Sequence, residues 1–179
     1  MSPILLCIPS AGTFVPREYA EAMTKAGLAT RENWFLMEKA GHPPLQSCGL
    51  IASNISRHVV DLDCDPSAKE VCPVETAQGK AIYLDDQRPD PEQIQQRVEH
   101  YWQPFYDQLD EELMRMVEQF GKARVIHLRS GKDTRLAASR ESQLAKAVAA
   151  HEKVKIDDIV LFSDTDPKQI ESLLKNRKS

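Results

Sequence analysis

The sequence at residues 4–16, ILLCIPSAGTFVP, restricts the possible folds more than any other stretch. Five consecutive apolar residues are too few for a stable helix and suit a β-strand that is buried on both faces. Small residues follow at Ser10 and Gly12, where glycine permits a turn conformation that a Cβ atom would penalise. Because ligands collect beyond the carboxyl ends of strands in open α/β sheets, we expect this turn to border a binding site.

The overall composition describes an ordinary soluble protein. Its 179 residues suit a single domain, with 41% hydrophobic and 28% charged residues. A formal charge of −4 argues against a nucleic-acid partner. No apolar run approaches the roughly 20 residues that cross a membrane, and no basic leader precedes the first run. We therefore expect a cytoplasmic protein without a membrane partner.

The four cysteines are Cys7, Cys48, Cys64 and Cys72, and no two of them form a C-x-x-C pair. A chain of this length in a reducing compartment needs no disulfides, so we expect free thiols. The alternative is a zinc site built from Cys64, Cys72 and His58, whose spacing matches no standard ligand pattern.

The first half of the chain predicts two helices, a strand region and a long loop. Pro16 and Gly27 bound the first helix, and residues 30–40 form the second, which Gly41 ends. Residues 49–63 are rich in isoleucine and valine and predict one or two strands. The proline-rich segment 64–91 predicts a surface loop, which a short strand at residues 81–84 anchors to the body.

The clearest helix covers residues 91–120. Asp90 is the predicted N-cap of this helix, Pro91 lies in its first turn, and Gln93 completes a capping box. Pro104 lies inside the run and removes one helical hydrogen bond, so we expect a kink near residue 100. Apolar residues recur three or four apart and predict one core-facing stripe: Ile94, Val98, Tyr101, Phe105, Leu109, Leu113, Met116 and Phe120.

The second half continues the alternation of strands and helices. We predict a strand at residues 123–128, an alanine-rich helix at 139–151, a strand at 158–162 and a last helix capped by Asp166. Such alternation is typical of an α/β domain with a mixed, mainly parallel sheet and helices on both faces.

Short motifs along residues 3–131 carry a resemblance. The first is the elbow at Ser10, which differs at one residue from Pro-His-Ala-Gly. The others are Pro16-Arg17-Glu18, Asn33-Trp34, SRHVVDLD at 56–63, Cys72-Pro73, Tyr83-Leu84, YWQPFY at 101–106 and VIHLRS at 125–130. In order and spacing they resemble the N-formylglutamate amidohydrolase family. The resemblance implies a three-layer αβα scaffold of the zinc-exopeptidase type, with residues 1–179 as one domain that is shortened at its C-terminus.

The same resemblance implies a zinc ion at the carboxyl edge of the sheet, where the family hydrolyses N-acylated acidic amino acids. Zinc activates water and polarises the acyl carbonyl. The family's histidines fall on Ser10 and Arg129, and its aspartates fall on Asn33, Met37 and His127. A hydroxyl and an amide bind zinc poorly and a guanidinium not at all, so we expect no zinc and no other cofactor.

The family's Asp-Leu-Asn-Arg motif is also changed. The sequence here is Asp61-Leu62-Asp63-Cys64, which lacks the arginine suited to a substrate carboxylate. The surviving scaffold residues are Gly12, Pro16, Arg57, Asp61, Cys72-Pro73 and Trp102.

The remaining polar residues each allow two interpretations. Arg57 and Asp61 lie four apart on a predicted strand and form either an ion pair or part of a ligand site. His58 and His127 are either structural histidines or ligands. Ser10 resembles a nucleophile on an elbow, although no Gly-x-Ser-x-Gly motif frames it.

The basic turn at residues 129–135 follows the predicted strand at 123–128. Its interpretation is either a solvated loop or an anion site, in which Arg129, Ser130 and Lys132 face Ser10 and Gly12. Gly131 lets backbone N–H groups converge on an anion, and the cationic side chains replace the charge of the metal.

Three hypotheses of function follow. The first is a non-catalytic binding or regulatory protein that takes a small carboxylate or phosphate, or another protein. The second is an active metal hydrolase with ligands rebuilt from Asp61, Asp63, His58 and His127. The third is a structural subunit whose sheet edge or long helix is covered by a second copy, as in a homodimer.

Overall fold

The computed structural model describes residues 3–131, 142–162, 165–166, 169–170 and 172. Within them, a four-stranded sheet has the order β2-β1-β3-β4, and every pairing is parallel. The strands are β1 (Ile4–Ile8), β2 (Gly49–Ala52), β3 (Ala123–Ser130) and β4 (Val154–Leu161). The predicted α/β class with a mainly parallel sheet is confirmed.

Helices cover both faces of this sheet. On one face, α2 packs through Phe35 and Leu36. On the other, α4 packs through Leu113 and α5 through Leu144. The α-helices are α1 (Arg17–Ala20), α2 (Phe35–Ala40), α3 (Pro91–Arg97), α4 (Gln103–Phe120) and α5 (Gln143–Ala149), with 3₁₀ turns at Pro43–Leu45 and Lys69–Val71.

Strand β1 is buried on both faces, as its apolar run predicts. Leu5 and Cys7 point into the core beneath α4, whereas Leu6 and Ile8 join the core beneath α2. All four of these side chains are at most 1% exposed. A strand in this position is held from both sides, which fixes the place where its carboxyl end emerges.

The long helix of the prediction is present as α3, a π-helical turn and α4. Asp90 and Gln93 form the predicted capping box, and Gly121 ends α4 in the left-handed conformation at φ 72°. The expected irregularity is the π-helical turn at Val98–Trp102, where the N–H of Gln103 donates to the carbonyl of Val98. Pro104 explains the widening, because it has no N–H and its ring crowds the carbonyl of the preceding turn.

The predicted helix at residues 16–27 is wrong beyond its first turn. Only α1 is helical, because the backbone around Met23 pairs with the segment around Tyr83. The N–H of Thr24 donates to the carbonyl of Ile82 at 2.9 Å, which withdraws this region from helical hydrogen bonding. Gly27 does not end a helix; a Cβ atom there would lie 2.3 Å from the carbonyl oxygen of Ile82.

The strands predicted at residues 49–63 and 81–84 are also corrected. Strand β2 ends at Ala52, and the chain then turns, because the N–H groups of Val59 and Val60 both donate to the carbonyl of Ser56. Residues 81–84 make isolated bridges, not a strand, although these bridges do anchor the loop. Val59, Val60 and Leu62 are nevertheless buried as predicted.

Other boundaries shift by a few residues. Helix α2 starts later than predicted, β3 extends two residues further, and β4 starts at Val154. Residues 132–141, with most of the terminal helix, lie outside the described residues. Among the helices that the structure describes, none has the length and apolar composition that crossing a bilayer requires.

The inner stripe of α4 gives a stability prediction. Leu113 is fully buried, so Leu113→Ala should lower the free energy of unfolding by ~2–5 kcal/mol through lost burial and the cavity left behind. Gln108→Ala, on the exposed face of the same helix, should change it by less than ~0.5 kcal/mol. Urea denaturation of both variants measures the difference, and equal losses would contradict the placement of α4.

Candidate functional site

The candidate site lies at the carboxyl ends of β1 and β3. The chain passes from β1 to β2 on one side of the sheet and returns to β3 on the other, so the strand order reverses between β1 and β3. In open α/β sheets this reversal leaves a crevice in which ligands bind. The pairing of Cys7 with His127 sets the register here, so the elbow after β1 lies beside the end of β3.

The elbow after β1 depends on Gly12. This residue makes a parallel bridge with Ser56, and Phe14 makes another with Ile55. A Cβ atom at Gly12 would lie 2.0 Å from the carbonyl oxygen of Ile55, closer than any real contact. Glycine is therefore required by the close approach of two backbones, which confirms its structural role without assigning it a ligand.

Ser10 lines a small cleft above the end of β1. The amide nitrogen of Asn33 lies 3.4 Å from the carbonyl oxygen of Ser10, which links the elbow to the segment before α2. The cleft has a cavity volume of about 10 Å³, room for about one water molecule. Its lining residues, all of polar types except Ala29, are Ser10, Ala29, Thr30, Glu32, Asn33, Ser56, Arg57 and His58.

His58 is held by the backbone within this cleft. Its Nδ1 atom lies 2.7 Å from the carbonyl oxygen of Gly27, so Nδ1 is the protonated donor in that contact. The backbone N–H of His58 donates to the hydroxyl of Ser56 at 3.1 Å, and its backbone carbonyl accepts from the hydroxyl of Tyr83. These contacts agree with the structural interpretation of His58.

Arg57 and Asp61 form the ion pair that the sequence suggested, with Nη2 of Arg57 2.7 Å from Oδ2 of Asp61. The two side chains are 11% and 12% exposed. They lie on a turn, so the prediction that both residues share one face of a strand is wrong. Since removing one partner of a buried pair leaves an uncompensated charge, this pair stabilises the loop that carries it.

His127 connects two acidic side chains at the end of β3. Its Nδ1 lies 3.0 Å from Oδ1 of Asp158, and its Nε2 lies 3.7 Å from Oδ2 of Asp63. Nη1 of Arg129 lies 3.6 Å from the other oxygen of Asp158. We call Asp63, His127, Arg129 and Asp158 the edge network. It contains two acids, one arginine and one histidine.

The two acids of the network differ in burial and in the direction of their pKa shifts. Burial raises the pKa of Asp63, and the nearby His127 partly opposes this rise. The hydrogen bond from His127 lowers the pKa of Asp158, which is half-exposed. Asp158 is therefore an ionised acceptor, and Nδ1 of His127 must be the donor in their contact.

The residues at this edge do not fit zinc. Arg129 points its guanidinium at Asp158 and presents no lone pair to a metal, and the Asn33 amide, whose nitrogen faces the carbonyl oxygen of Ser10, is a poor zinc ligand. The rebuilt set of Asp61, Asp63, His58 and His127 is not grouped for coordination either. In the described parts of the chain, no three His, Cys, Asp or Glu side chains are placed to hold a metal, which also applies to Cys64, Cys72 and His58. No disulfide links the four cysteines.

Comparison with known proteins decides the family. The model of the N-formylglutamate amidohydrolase family matches residues 2–161. The chain belongs to the N-formylglutamate amidohydrolase family. The resemblance in the sequence motifs is thereby confirmed.

Two related proteins show how much of their length this chain matches. The N-formylglutamate deformylase of Pseudomonas aeruginosa is 25% identical over 130 residues, which cover 68% of this chain and 49% of that relative. The chain thus spans about half the length of the curated relative that it matches. The N-formylglutamate amidohydrolase structure from Ralstonia eutropha JMP134 superposes with a TM-score of 0.55 at 20% identity, over 77% of this chain and 57% of that one, and supports the fold alone.

The sequence did not identify Asp158 as part of the site. It lies opposite His127 in the register of β3 and β4, and only that register reveals the contact. A signal was available, since an acid in the next strand at the level of a buried histidine is a candidate partner. Ser130 is buried at the end of β3, whereas Lys132 lies outside the described residues.

The elbow gives a prediction with an internal control. Gly12→Ala forces a side chain against the backbone of Ile55, so it should lower the free energy of unfolding by ~1–3 kcal/mol or prevent folding. Gly41→Ala should stay within ~0.5 kcal/mol, because its Cβ would meet nothing closer than 3.4 Å and its φ is −74°. Thermal denaturation of both variants tests this. A tolerated Gly12→Ala would show that the elbow is not where the structure places it.

Proposed function

We propose that this chain is a non-hydrolytic member of the N-formylglutamate amidohydrolase family that binds a small anion, a carboxylate or a phosphate. The anion binds at the carboxyl edge of β1 and β3. The observation that supports this most is the placement of Arg129 and His127 at the end of β3, where the family resemblance expects a metal.

The first step concerns charge. An arginine binds a carboxylate or phosphate with charge-assisted hydrogen bonds, and its planar guanidinium allows two bonds in parallel. The Arg129 side chain is 18% exposed, so an anion that reaches it is partly shielded from water. Shielding strengthens the attraction between the charges. The neighbouring strand ends carry Ser10, Gly12 and Ser130. The sequence also assigns Lys132 to this site, and that residue lies outside the described part of the chain.

The second step concerns the opposite side of the site. Arg57 and Asp61 lie in the segment that follows β2, and Arg57 lines the cleft with Ser10. Because Asp61 accepts from Arg57 at 2.7 Å, this pair holds the loop beside the ligand and does not supply the main positive charge. We therefore assign the principal anion contact to Arg129 and a positioning role to Arg57 and Asp61.

The third step concerns the lack of hydrolysis. Amide hydrolysis in this family requires water activated by zinc, as the resemblance implies, and the positions of Ser10, Asn33 and Arg129 offer zinc no suitable donors. A binding protein accounts for these replacements better than an enzyme.

Metal content and activity test the non-hydrolytic half of the proposal. Purified protein should contain much less than one zinc per chain by elemental analysis and should release no formate from N-formylglutamate. One zinc per chain, removed by a chelator together with activity, would refute this half of the proposal.

Titration tests the binding half. Inorganic phosphate or glutamate, followed by calorimetry at low salt, should bind to the wild type, and Arg129→Ala should weaken this binding by about tenfold or more. The effect should shrink at high salt. Arg124→Ala is the matched control, because Arg124 is on the same strand and pairs with Asp157 at 3.3 Å. Equal weakening by both variants would mean that only net charge matters and that Arg129 forms no site.

A further inference from the structure

We propose that Asp158 is an internal competitor that occupies the anion site in this structure, so that a ligand must displace its carboxylate to bind. This inference rests on the proposed function of the same site and adds its regulation. The carboxylate of Asp158 lies close to two donors, the buried His127 at 3.0 Å and the partly buried Arg129 at 3.6 Å. Each of its two oxygens faces one donor, which is how a small oxyanion would be held.

The difference in burial identifies which member of the network can leave. The His127 side chain is 1% exposed and the Arg129 side chain 18%, whereas the Asp158 side chain is 47% exposed. Both donors are therefore less exposed than the acid, which lies at the surface of the protein. An aspartate on a strand needs only one rotation about χ1 to move from its partners into water, which makes the displacement local.

The position of Asp158 on β4 agrees with this movement. Among the described strands, β4 pairs with β3 alone and forms an edge of the sheet. Its neighbour Asp157 points to the opposite face, where it pairs with Arg124 at 3.3 Å. Two adjacent acids on one strand thus have separate cationic partners, and only Asp158 faces the proposed site.

Asp63 remains behind the imidazole when Asp158 leaves. Its Oδ2 lies 3.7 Å from Nε2 of His127, and its side chain is 2% exposed. Asp63 therefore keeps the imidazole oriented with Nδ1 directed at the vacated position. The site stays preorganised while its occupant changes, which is the condition for exchange of one anion for another.

The test compares four proteins by calorimetry with inorganic phosphate at one pH and one ionic strength: the wild type, Asp158→Asn, Asp158→Ala and Asp157→Asn. Removing the competitor should tighten phosphate binding by about tenfold, the gain expected for a site that is open about a tenth of the time. Asp157→Asn changes the net charge equally and should leave the affinity within about twofold of the wild type. Adding Arg129→Ala to Asp158→Asn should abolish the gain.

Each possible pattern of results supports or overturns the internal competitor. Binding by Asp158→Asn together with weak or no binding by the wild type supports the internal competitor, even if the wild type then fails as a phosphate binder. Binding by the wild type that Asp158→Asn and Asp158→Ala leave unchanged overturns the inference and keeps the proposed function. No binding by any of the four proteins overturns both, and an equal gain in Asp157→Asn reduces the effect to net charge.

A measurement on the wild type covers the case in which the Asp158 variants do not fold. At saturating phosphate, the imidazole ¹⁵N resonances of His127 should shift. Those of His151, which contacts Asp110 at 2.6 Å elsewhere on the surface, should not. An unchanged His127 at saturation would overturn the inference.

Discussion

The parallel pairing of β1 with β3 places Cys7 beside His127, and this register determines the height at which both strands end. Because β1 is also paired with β2 and buried on both faces, its end cannot move independently of the core. The elbow after β1 and the residues after His127 therefore leave the sheet at the same edge. Every feature of the proposed site depends on this arrangement.

Charge balance at the same edge follows from burial. A charged group that is removed from water needs a partner, and here the partners are side chains of neighbouring elements. Arg57 pairs with Asp61, and His127 lies between Asp63 and Asp158. The edge network brings together β3, β4 and the loop after Leu62. The half-exposed Asp158 is the member that, in our proposal, gives way to an external anion.

The sequence predicted the features that depend on local pattern. The run at residues 4–8, the Asp90 capping box and the stripe containing Leu113 each correspond to what is observed, since burial and capping act over a few residues. The helix expected up to Gly27 failed because the backbone near Met23 pairs with a segment about sixty residues later. Apolar content at residues 49–63 predicted burial correctly but not conformation, because Ser56 directs the turn through hydrogen bonds that hydrophobicity does not encode.

The meeting of β1 and β3 at one edge of the sheet was predictable, but the partners of the polar residues there were not. Strand order brings Ser10 near the end of β3, and the resemblance indicated Arg129. The choice of Asp158 as its partner depends on the register of β3 with β4, and β4 begins four residues earlier than its pattern suggested. A one-residue change of register would turn Asp158 to the other face and leave Arg129 without this contact.

A diffraction experiment at the zinc absorption edge tests most directly whether side chains, not a metal, balance the charge at this edge. Crystals grown from protein supplied with zinc should show no anomalous peak near Ser10, Asn33 and Arg129, and density should join Arg129 and His127 to Asp158. A fully occupied zinc peak at this position, with Arg129 turned away from Asp158, would contradict the proposed replacement of the metal by the edge network.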